Sequence, residues 1–413
     1  LFYNKSIYFA FYNNKDISKL MRNKRGIAFF IILSISIGNL IGQGVNKKGL
    51  TQTITTAVPF IRISPDARSS GMADVGVSTS PDAMSGFHNP AKFAFAESDY
   101  GASLNFAPWL RQITNDIYLA TASGYKKINE NHTFGAGFRY FTLGEIQYTN
   151  DQGGSNGSGK PNEFVLEGHY AFKLAEFFSI GTSARFIYSN LSSGLQNNDV
   201  SAGTAFAVDF STFYSKPLEI NGLESSRLNI GFNMSNIGSK MQYLKQGEAD
   251  YLPANLGFGT TFEAGIDDAN KVRATLEFNK LLVPSLRYVN GPNNTPILDP
   301  EYRQQSSIAG VLSSFGDSED GMGGEIKEII VQAGIEYSYM KTFFLRTGYF
   351  FEPENAGGRN FATAGAGFRY KKMMLDFSYL VPLKQQRSPL DNQMKLSITF
   401  DLGIEESQFN SGF

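Results

Sequence analysis

Met394-Lys395-Leu396-Ser397-Ile398-Thr399-Phe400-Asp401-Leu402 alternates between apolar and polar side chains without a break. Successive side chains of a strand point to opposite faces, so one face of this segment meets something apolar and the other something wet. The same period of two recurs back to about Tyr100. Fourteen runs carry it, near 98–107, 115–126, 131–147, 163–173, 176–190, 202–215, 227–237, 254–264, 271–281, 327–339, 342–352, 360–371, 373–382 and 393–403. An even number suits a single-chain bacterial outer-membrane barrel, and many runs reach the roughly 9–11 residues of a tilted transmembrane strand. The expected fold is therefore all-β and transmembrane, a 14-stranded antiparallel barrel over residues 98–413.

The connections between runs sort by parity. Lys127–Glu130, Leu174–Ala175, Met340–Lys341 and the neighbourhood of Lys372 are short, whereas Asp151–Asn162, Gly238–Pro253, Leu282–Ile326 and Leu383–Asn392 are long. Short periplasmic turns opposite long external loops are the asymmetry of outer-membrane barrels, and a soluble all-β protein, the competing reading, has no reason for it. Lys216–Ser226 breaks the rule, being long on the short side.

Composition agrees. The chain has 413 residues, 37 Lys+Arg against 38 Asp+Glu, and a net charge of −1, which gives no electrostatic reason to expect nucleic acid. Charged residues make up 18 %, below the roughly 25 % of soluble domains. Gly (42), Phe (36) and Tyr (20) favour strands, turns and an interfacial aromatic belt. A mean hydropathy of −0.21 fits a barrel, half of whose strand residues face a polar lumen. Absence of cysteine removes disulfides and thiolate chemistry. His88, His132 and His169 are scattered, and nothing points to a metal or cofactor.

Charges inside the runs fall on the polar phase: Arg139, Arg185, Arg346 and Arg369, with Asp209, Glu277, Glu336 and Asp376. On the lipid face near the midplane each would cost about 2–4 kcal/mol, so all are expected in the lumen. Gly-Ala-Gly-Phe-Arg-Tyr occurs at 135–140 and again at 365–370, in strands of opposite direction, as a shared local solution with small residues inside and aromatics at the lipid boundary.

Upstream of the barrel the pattern changes. Met21 begins a stretch with Arg22, Lys24 and Arg25, an apolar run Gly26–Ile41, and then Gly42 and Gly44. This reads as a signal peptide over 21–43, with 1–20 a misassigned upstream extension. The alternative, a membrane helix, needs roughly 20 apolar residues, more than this run offers. Residues 44–97 are expected to form a plug of short helices in the lumen. Ser64-Pro65-Asp66-Ala67 and Ser80-Pro81-Asp82-Ala83 each suit a helix start, with Gly71 and Gly86 as the ends. Asp66, Asp74 and Asp82 either approach lumenal arginines or only cap helices.

SPDARSSGMADVGVSTSPDAMSGFHNPAKFAFA, residues 64–96, resembles the N-terminal segment of the FadL-like outer-membrane family, which commonly carries Asn-Pro-Ala, here Asn89-Pro90-Ala91. Within it, Ser64–Arg68, Gly71–Val77 and Asn89–Lys92 are similar to the PorV (LptO) family of the type IX secretion system of Bacteroidetes. Ala73 stands where glycine is expected, and Phe87-His88 where a tryptophan or similar pair is expected. The resemblance implies an outer-membrane protein that associates with a translocon barrel. It would bind the C-terminal sorting domains of secreted cargo and carry cargo to a surface attachment complex. The loop 282–326 is the candidate grip, with Pro284, Tyr288, Pro292, Pro296, Pro300 and Tyr302, because prolines limit the entropy lost on docking and aromatics anchor well. Alternatively the loop is only a lid.

Two other functions fit parts of the chain. Asn-Pro-Ala suits a FadL-type channel for hydrophobic small molecules equally well, although a lumen of mixed charge opposes a wide apolar path. A lipopolysaccharide deacylase would need a Ser/His/acid set. Gly153-Gly154-Ser155-Asn156-Gly157 matches G-x-S-x-G only formally, in a polar loop, and His169 is the least unsuitable base. No catalytic residue is assigned.

Overall fold

The computed structural model describes residues 54–111, 114–149, 154–194, 199–286, 288–290, 296–299, 301–302, 304–318, 320–353, 356–383 and 393–403. The expected signal peptide and upstream extension lie outside the described residues. The strands are β1 (Tyr100–Pro108), β2 (Ile117–Lys127), β3 (His132–Leu143), β4 (Ile146–Thr149), β5 (Ser155–Gly159), β6 (Asn162–Ala175), β7 (Phe178–Asn190), β8 (Gly203–Leu218) and β9 (Ser225–Gly238). They continue as β10 (Asn255–Gly265), β11 (Asn270–Leu281), β12 (Tyr288–Asn290), β13 (Pro296–Leu298), β14 (Ile330–Tyr339), β15 (Phe343–Phe351), β16 (Asn360–Tyr370), β17 (Met373–Pro382) and β18 (Met394–Leu402). Fourteen of them form a closed antiparallel barrel in which each pairs with its neighbours in the chain, and β1 closes on β18 from Tyr100↔Leu402 to Phe106↔Leu396. The pairs β4–β5 and β12–β13 are small hairpins outside the ring.

The alternation that defines the strands is inverted with respect to a soluble core. In β18 the polar Lys395 and Ser397 are buried at 6 % and 4 % exposure, whereas Leu396 and Ile398 are 51 % and 39 % exposed. Leu104, Phe138, Leu166, Phe206 and Leu345 are likewise exposed. Apolar side chains point outward because the surrounding solvent is hydrocarbon, and closure leaves no strand edge with unpaired amides.

The fourteen runs correspond one to one with the barrel strands, with local differences. The run 131–147 breaks at Gly144 (φ +77°), where Glu145 N–H donates to Asp116 Oδ2 at 2.8 Å and the chain leaves the ring into the β4–β5 hairpin. The irregular Lys216–Ser226 connection shrinks to residues 219–224, because β8 runs on to Leu218 and β9 starts at Ser225. Residues 327–329 follow the helix Met322–Ile326 as a turn, so β14 starts three positions later than the run.

The segment before β1 occupies the lumen. It holds a 3-10 turn Pro59–Arg62, helices Ala67–Ser70 and Ser85–His88, and a second 3-10 stretch Pro90–Phe95. These elements bury little by themselves, and each is held by a different part of the wall. Ala67 N–H donates to Ser397 of β18, Ala73 N–H to Thr363 of β16, Gly76 and Val77 N–H to Glu277 of β11, and Ala91 N–H to Ser211 of β8. Inward glycines give the plug room to approach. A Cβ at Gly181 would lie 2.3 Å from Ala91 N, one at Gly231 2.1 Å from Val77 O, and one at Gly348 2.5 Å from Ala73 N.

Candidate functional site: the plugged lumen and the loop above it

The lumenal charges form two lines that run across the strands. In the first, Glu167 on β6 joins Arg139 on β3 at 2.6 Å and Arg185 on β7 at 2.8 Å, and Arg185 reaches Asp209 on β8 and Asn236 Oδ1 on β9. In the second, Glu263 on β10, Arg273 on β11, Glu336 on β14 and Arg346 on β15 alternate in sign along directly opposed cross-strand positions, and Arg346 ends on Asp376 of β17 at 2.6 Å. Arg139 and Arg346 are buried, and Arg369 pairs with Asp401 at 2.8 Å in a more open position. Ionised groups taken from water must meet opposite charges and further donors or acceptors. Alternating the sign strand by strand meets that requirement. Glu167 and Glu263, absent from the acids named above, sit on the inward phase between Leu166 and Gly168 and between Phe262 and Ala264, so alternation marks them too.

The plug joins these lines through its own Arg68 and through Arg139 of the wall. Arg68 binds Glu336 of the wall at 3.3 Å and Asp82 of the plug at 2.7 Å. Arg139 reaches inward to donate to Ile61 O at 2.9 Å and lies over the Phe87 ring. The plug acids do not meet the four strand arginines. Asp66 accepts from Ser69 N–H at 2.7 Å as a helix cap and holds His88 Nε2 at 3.0 Å. Asp74 accepts from Ser70 and lies 3.6 Å from Lys395, and Asp82 takes Arg68. Burial alone would raise the Asp66 carboxyl, but its bonds to His88 and Ser69 overcome this and hold it well below the usual carboxylate range.

The Ser-Pro-Asp copies differ in outcome. In the first, Ser64 and Pro65 are buried, Asp66 caps Ala67–Ser70, and Gly71 ends the helix. In the second, Asp82 Oδ1 accepts from Met84 N–H in a turn, and the helix starts only at Ser85. Gly86 therefore lies inside that helix, not at its end. It is pressed on His169, whose Cδ2 would be 2.6 Å from an added Cβ. Asn89 is fully buried: its Oδ1 accepts from Ala91 N–H, and its Nδ2 donates to Val77 O at 2.9 Å and Thr212 O at 3.0 Å. Pro90 then opens the 3-10 stretch. Lys92, fully buried, donates to Gly76 O at 2.8 Å and Thr79 Oγ1 at 2.9 Å, and burial lowers its ammonium to about 8. Ala73, at the expected glycine position, has φ +60°, a left-handed conformation that costs a non-glycine residue about 1–2 kcal/mol.

His169 Nδ1 lies 2.8 Å from Ser183 Oγ, but both are buried, with the ring tilted against Phe93 of the plug. Ser155 is exposed at the start of β5, away from any histidine contact given by the fold.

The loop after β11 folds down at the long-loop end. Tyr302 is 9 % exposed; its hydroxyl donates to Pro284 O at 3.1 Å, and its ring meets Tyr251 edge-on. It therefore pins the loop and presents no anchor to a partner. Tyr288 starts β12, while Pro292 and Pro300 lie outside the described residues. Helix Ser307–Ser313 turns Val311 inward, toward Leu282 and Ala254, and leaves Ile308 and Leu312 each 68 % exposed. Phe315 and Met322 are exposed as well.

The sequence profile of the family described as type IX secretion system protein PorV matches residues 46–287, more than half of the chain. The chain belongs to the PorV family. The matched span holds the plug and the strands as far as β11, so the Asn89 and Lys92 bonds lie within the part shared with PorV. With the closed fourteen-strand barrel, PorV membership makes this an outer-membrane component of type IX secretion. Among solved structures, the toluene transporter TbuX of Ralstonia pickettii is similar at 12 % identity and TM-score 0.46, covering 82 % of this chain and 98 % of its own. The toluene transporter TodX of P. putida gives 12 %, 0.47, 82 % and 99 %, and a Pseudomonas aeruginosa FadL homologue 14 %, 0.42, 85 % and 100 %. Those values are too low to bear on ligand or function. No curated protein matches the chain.

Proposed function

We propose that this PorV-family barrel binds the C-terminal sorting domains of cargo emerging from the type IX translocon and carries the cargo to the surface attachment complex. The observation that supports this most is the combination of a filled lumen with a folded apolar surface above it. Among the described residues, the plug and the two ion-pair lines set charged and hydrogen-bonded side chains across the lumen. The loop, by contrast, holds Ile308, Leu312, Phe315 and Met322 outward on a base pinned by Tyr302. Exposed apolar side chains on a fixed base are what a protein partner buries at the centre of an interface. In this reading the barrel is the anchor and the 282–326 loop the grip.

The test is gene deletion followed by quantitative mass spectrometry of secreted, surface and periplasmic proteins. Proteins sharing a C-terminal sorting domain should leave the surface and accumulate in the periplasm, and the wild-type gene should restore them. A paired Ile308→Asp, Leu312→Asp variant should reach the membrane in normal amount and fail to restore them. Unchanged cargo after deletion would sink the proposal and favour uptake of hydrophobic small molecules.

A further inference from the structure

Between plug and wall lies a cavity of about 110 Å³, lined in part by Arg62, Arg359, Asn233 and Asn255. On this measure one water needs roughly 10–15 Å³, so several waters or one four-oxygen anion fit. We propose that this cavity is a binding site for a protonated phosphate, free or as a monoester, held by Arg62 and Arg359 and read by the side-chain oxygens of Asn233 and Asn255.

The argument begins with Arg62. The turn Pro59–Arg62 is anchored by buried Phe60 and Ile61, Phe60 stacking on Phe141 at 5.6 Å. Arg62 is thus carried into the cavity on a fixed stem. Among the described residues it has neither an ion pair nor a hydrogen-bond partner, unlike Arg68, Arg139, Arg185 and Arg346. Burial and then the nearby Arg359 lower its guanidinium to about 10, against the pull of Glu352. Arg359 engages Glu352 through Nε at 2.7 Å and Nη2 at 2.9 Å, which leaves Nη1 for another acceptor. Two neighbouring cations with one carboxylate between them leave a charge that an anion would neutralise.

Of the acids lining the cavity, neither Glu277 nor Asp74 is among the charges that act on Arg62, although Asp74 does act on Arg359. Glu277 accepts from Gly76 N–H, Val77 N–H and Asn279, and Asp74 from Ser70 beside Lys395. Arg185 is taken by Glu167 and Asp209, and His88 by Asp66.

The amides select the kind of anion. Asn233 Nδ2 donates to His88 O and Asn255 Nδ2 to Asn279 Oδ1, but the buried Oδ1 of each has no donor. A buried acceptor without a donor is costly. Dihydrogen phosphate brings both what the arginines need, anionic oxygens, and what the two asparagines need, two P–OH donors, and a singly protonated phosphate or monoester brings one. Sulfate and ionised carboxylates have no such donor. Arg359, 45 % exposed at the long-loop end, marks the side of entry. An anion here would tie the plug, through Arg62, to the β15–β16 connection, through Arg359.

The test uses the purified full chain in phosphate-free detergent buffer at about pH 6, where inorganic phosphate and a monoester both carry a P–OH donor. Titration with sodium phosphate, followed by calorimetry and by the melting midpoint, should show saturable binding and a rise in midpoint. Sulfate at matched ionic strength should bind at least about tenfold more weakly, the discrimination expected from one lost hydrogen bond of about 1.4 kcal/mol. Arg62→Gln should lose the phosphate response while melting normally in phosphate-free buffer. Glycerol 3-phosphate competing as well as inorganic phosphate assigns the site to a monoester such as a lipid headgroup; failure to compete assigns it to free phosphate. Should Arg62→Gln not fold, broadening of the phosphorus-31 resonance by wild type, with none of the sulfate effect, carries the same decision. Equal responses to phosphate and sulfate, a full response in Arg62→Gln, or no saturable phosphate binding by wild type would each overturn the proposal.

Discussion

Arg68 of the plug and Glu336 of the barrel wall, 268 positions apart in the chain, meet at 3.3 Å, and Glu336 takes Arg273 and Arg346 at the same carboxylate. One acid thereby connects the plug to three wall strands. Arg68→Ala leaves Asp82 without its cation and removes one of the partners of Glu336. The expected loss is about 3 kcal/mol, the scale for breaking a buried pair. Glu336→Ala takes one partner from each of three guanidinium groups, which keep Asp82, Glu263 and Asp376, and should cost more. Denaturant unfolding in lipid vesicles reads both, and an Arg68→Ala variant within about 0.5 kcal/mol of wild type would show that the contact does not hold the plug.

Lys92 predicts a pH dependence. Its ammonium falls from the ordinary lysine range to about 8 on burial, so the folded chain holds this proton less firmly than the unfolded chain. Between about pH 8 and the usual lysine value near 10.4 the unfolded state carries more protons, and stability rises with pH. Lys92→Met removes the effect, and Thr79 Oγ1 already donates to Gly76 O at 3.2 Å, so the freed carbonyl keeps a donor. Relative to wild type, Lys92→Met should be more stable at pH 7, by on the order of 3 kcal/mol, and lose that advantage by about pH 10.5. A difference that does not change with pH would refute the assignment.

Gly231 and Gly168 give a matched pair. A Cβ at Gly231 would lie 2.1 Å from the Val77 carbonyl oxygen, whereas one at Gly168 would meet nothing within 4 Å. Gly231→Ala should displace the plug at a cost of about 1–3 kcal/mol, and Gly168→Ala should be close to neutral. Protease cleavage after Arg68 in the assembled barrel reports displacement directly; equal protection in the two variants would contradict the seating described.

Asn89→Ala removes a cap and leaves the Val77 and Thr212 carbonyls without their side-chain donor. The expected cost is about 2–4 kcal/mol, from about 1 for the cap and 1–3 for the buried groups. Asn89→Asp keeps the cap acceptor but not the donors, so it should recover only the smaller part. Equal melting midpoints for wild type and Asn89→Ala would remove the Asn-Pro-Ala motif from the account of plug stability.

The barrel was legible because alternation is a local signal repeated many times. Lys395 and Leu396 reveal their opposite faces from adjacency alone, and the same reasoning turns Arg139, Arg185 and Arg346 inward. What escaped depends on contacts distant in sequence. That Asp66 takes His88, and not a wall arginine, follows from how Ala67–Ser70 and Ser85–His88 lie together, which no spacing shows. The β4–β5 hairpin is short and rich in glycine, serine and asparagine, so it carries little apolar pattern. Tyr302 has the composition of an anchor, but only the folded loop shows its hydroxyl turned onto Pro284. The two Ser-Pro-Asp copies are alike in residues and differ in outcome, Asp66 capping a helix directly and Asp82 opening a turn before one, with Gly86 packed on His169.

The wall contacts of the plug also constrain the order of biogenesis. The first plug helix is bonded to β18 through Ala67, the middle to β11 through Gly76 and Val77, and the far end to β8 through Ala91. The segment made earliest thus has partners in a strand made nearly last. A half-inserted sheet offers the plug only some of its partners, so seating completes with the pairing of β1 and β18. An insertase that closes this ring around an unseated segment would produce a hollow cylinder in which Ser397, Thr363, Glu277 and Ser211 lack the plug amides they accept from. Insertion and filling must therefore finish as one event.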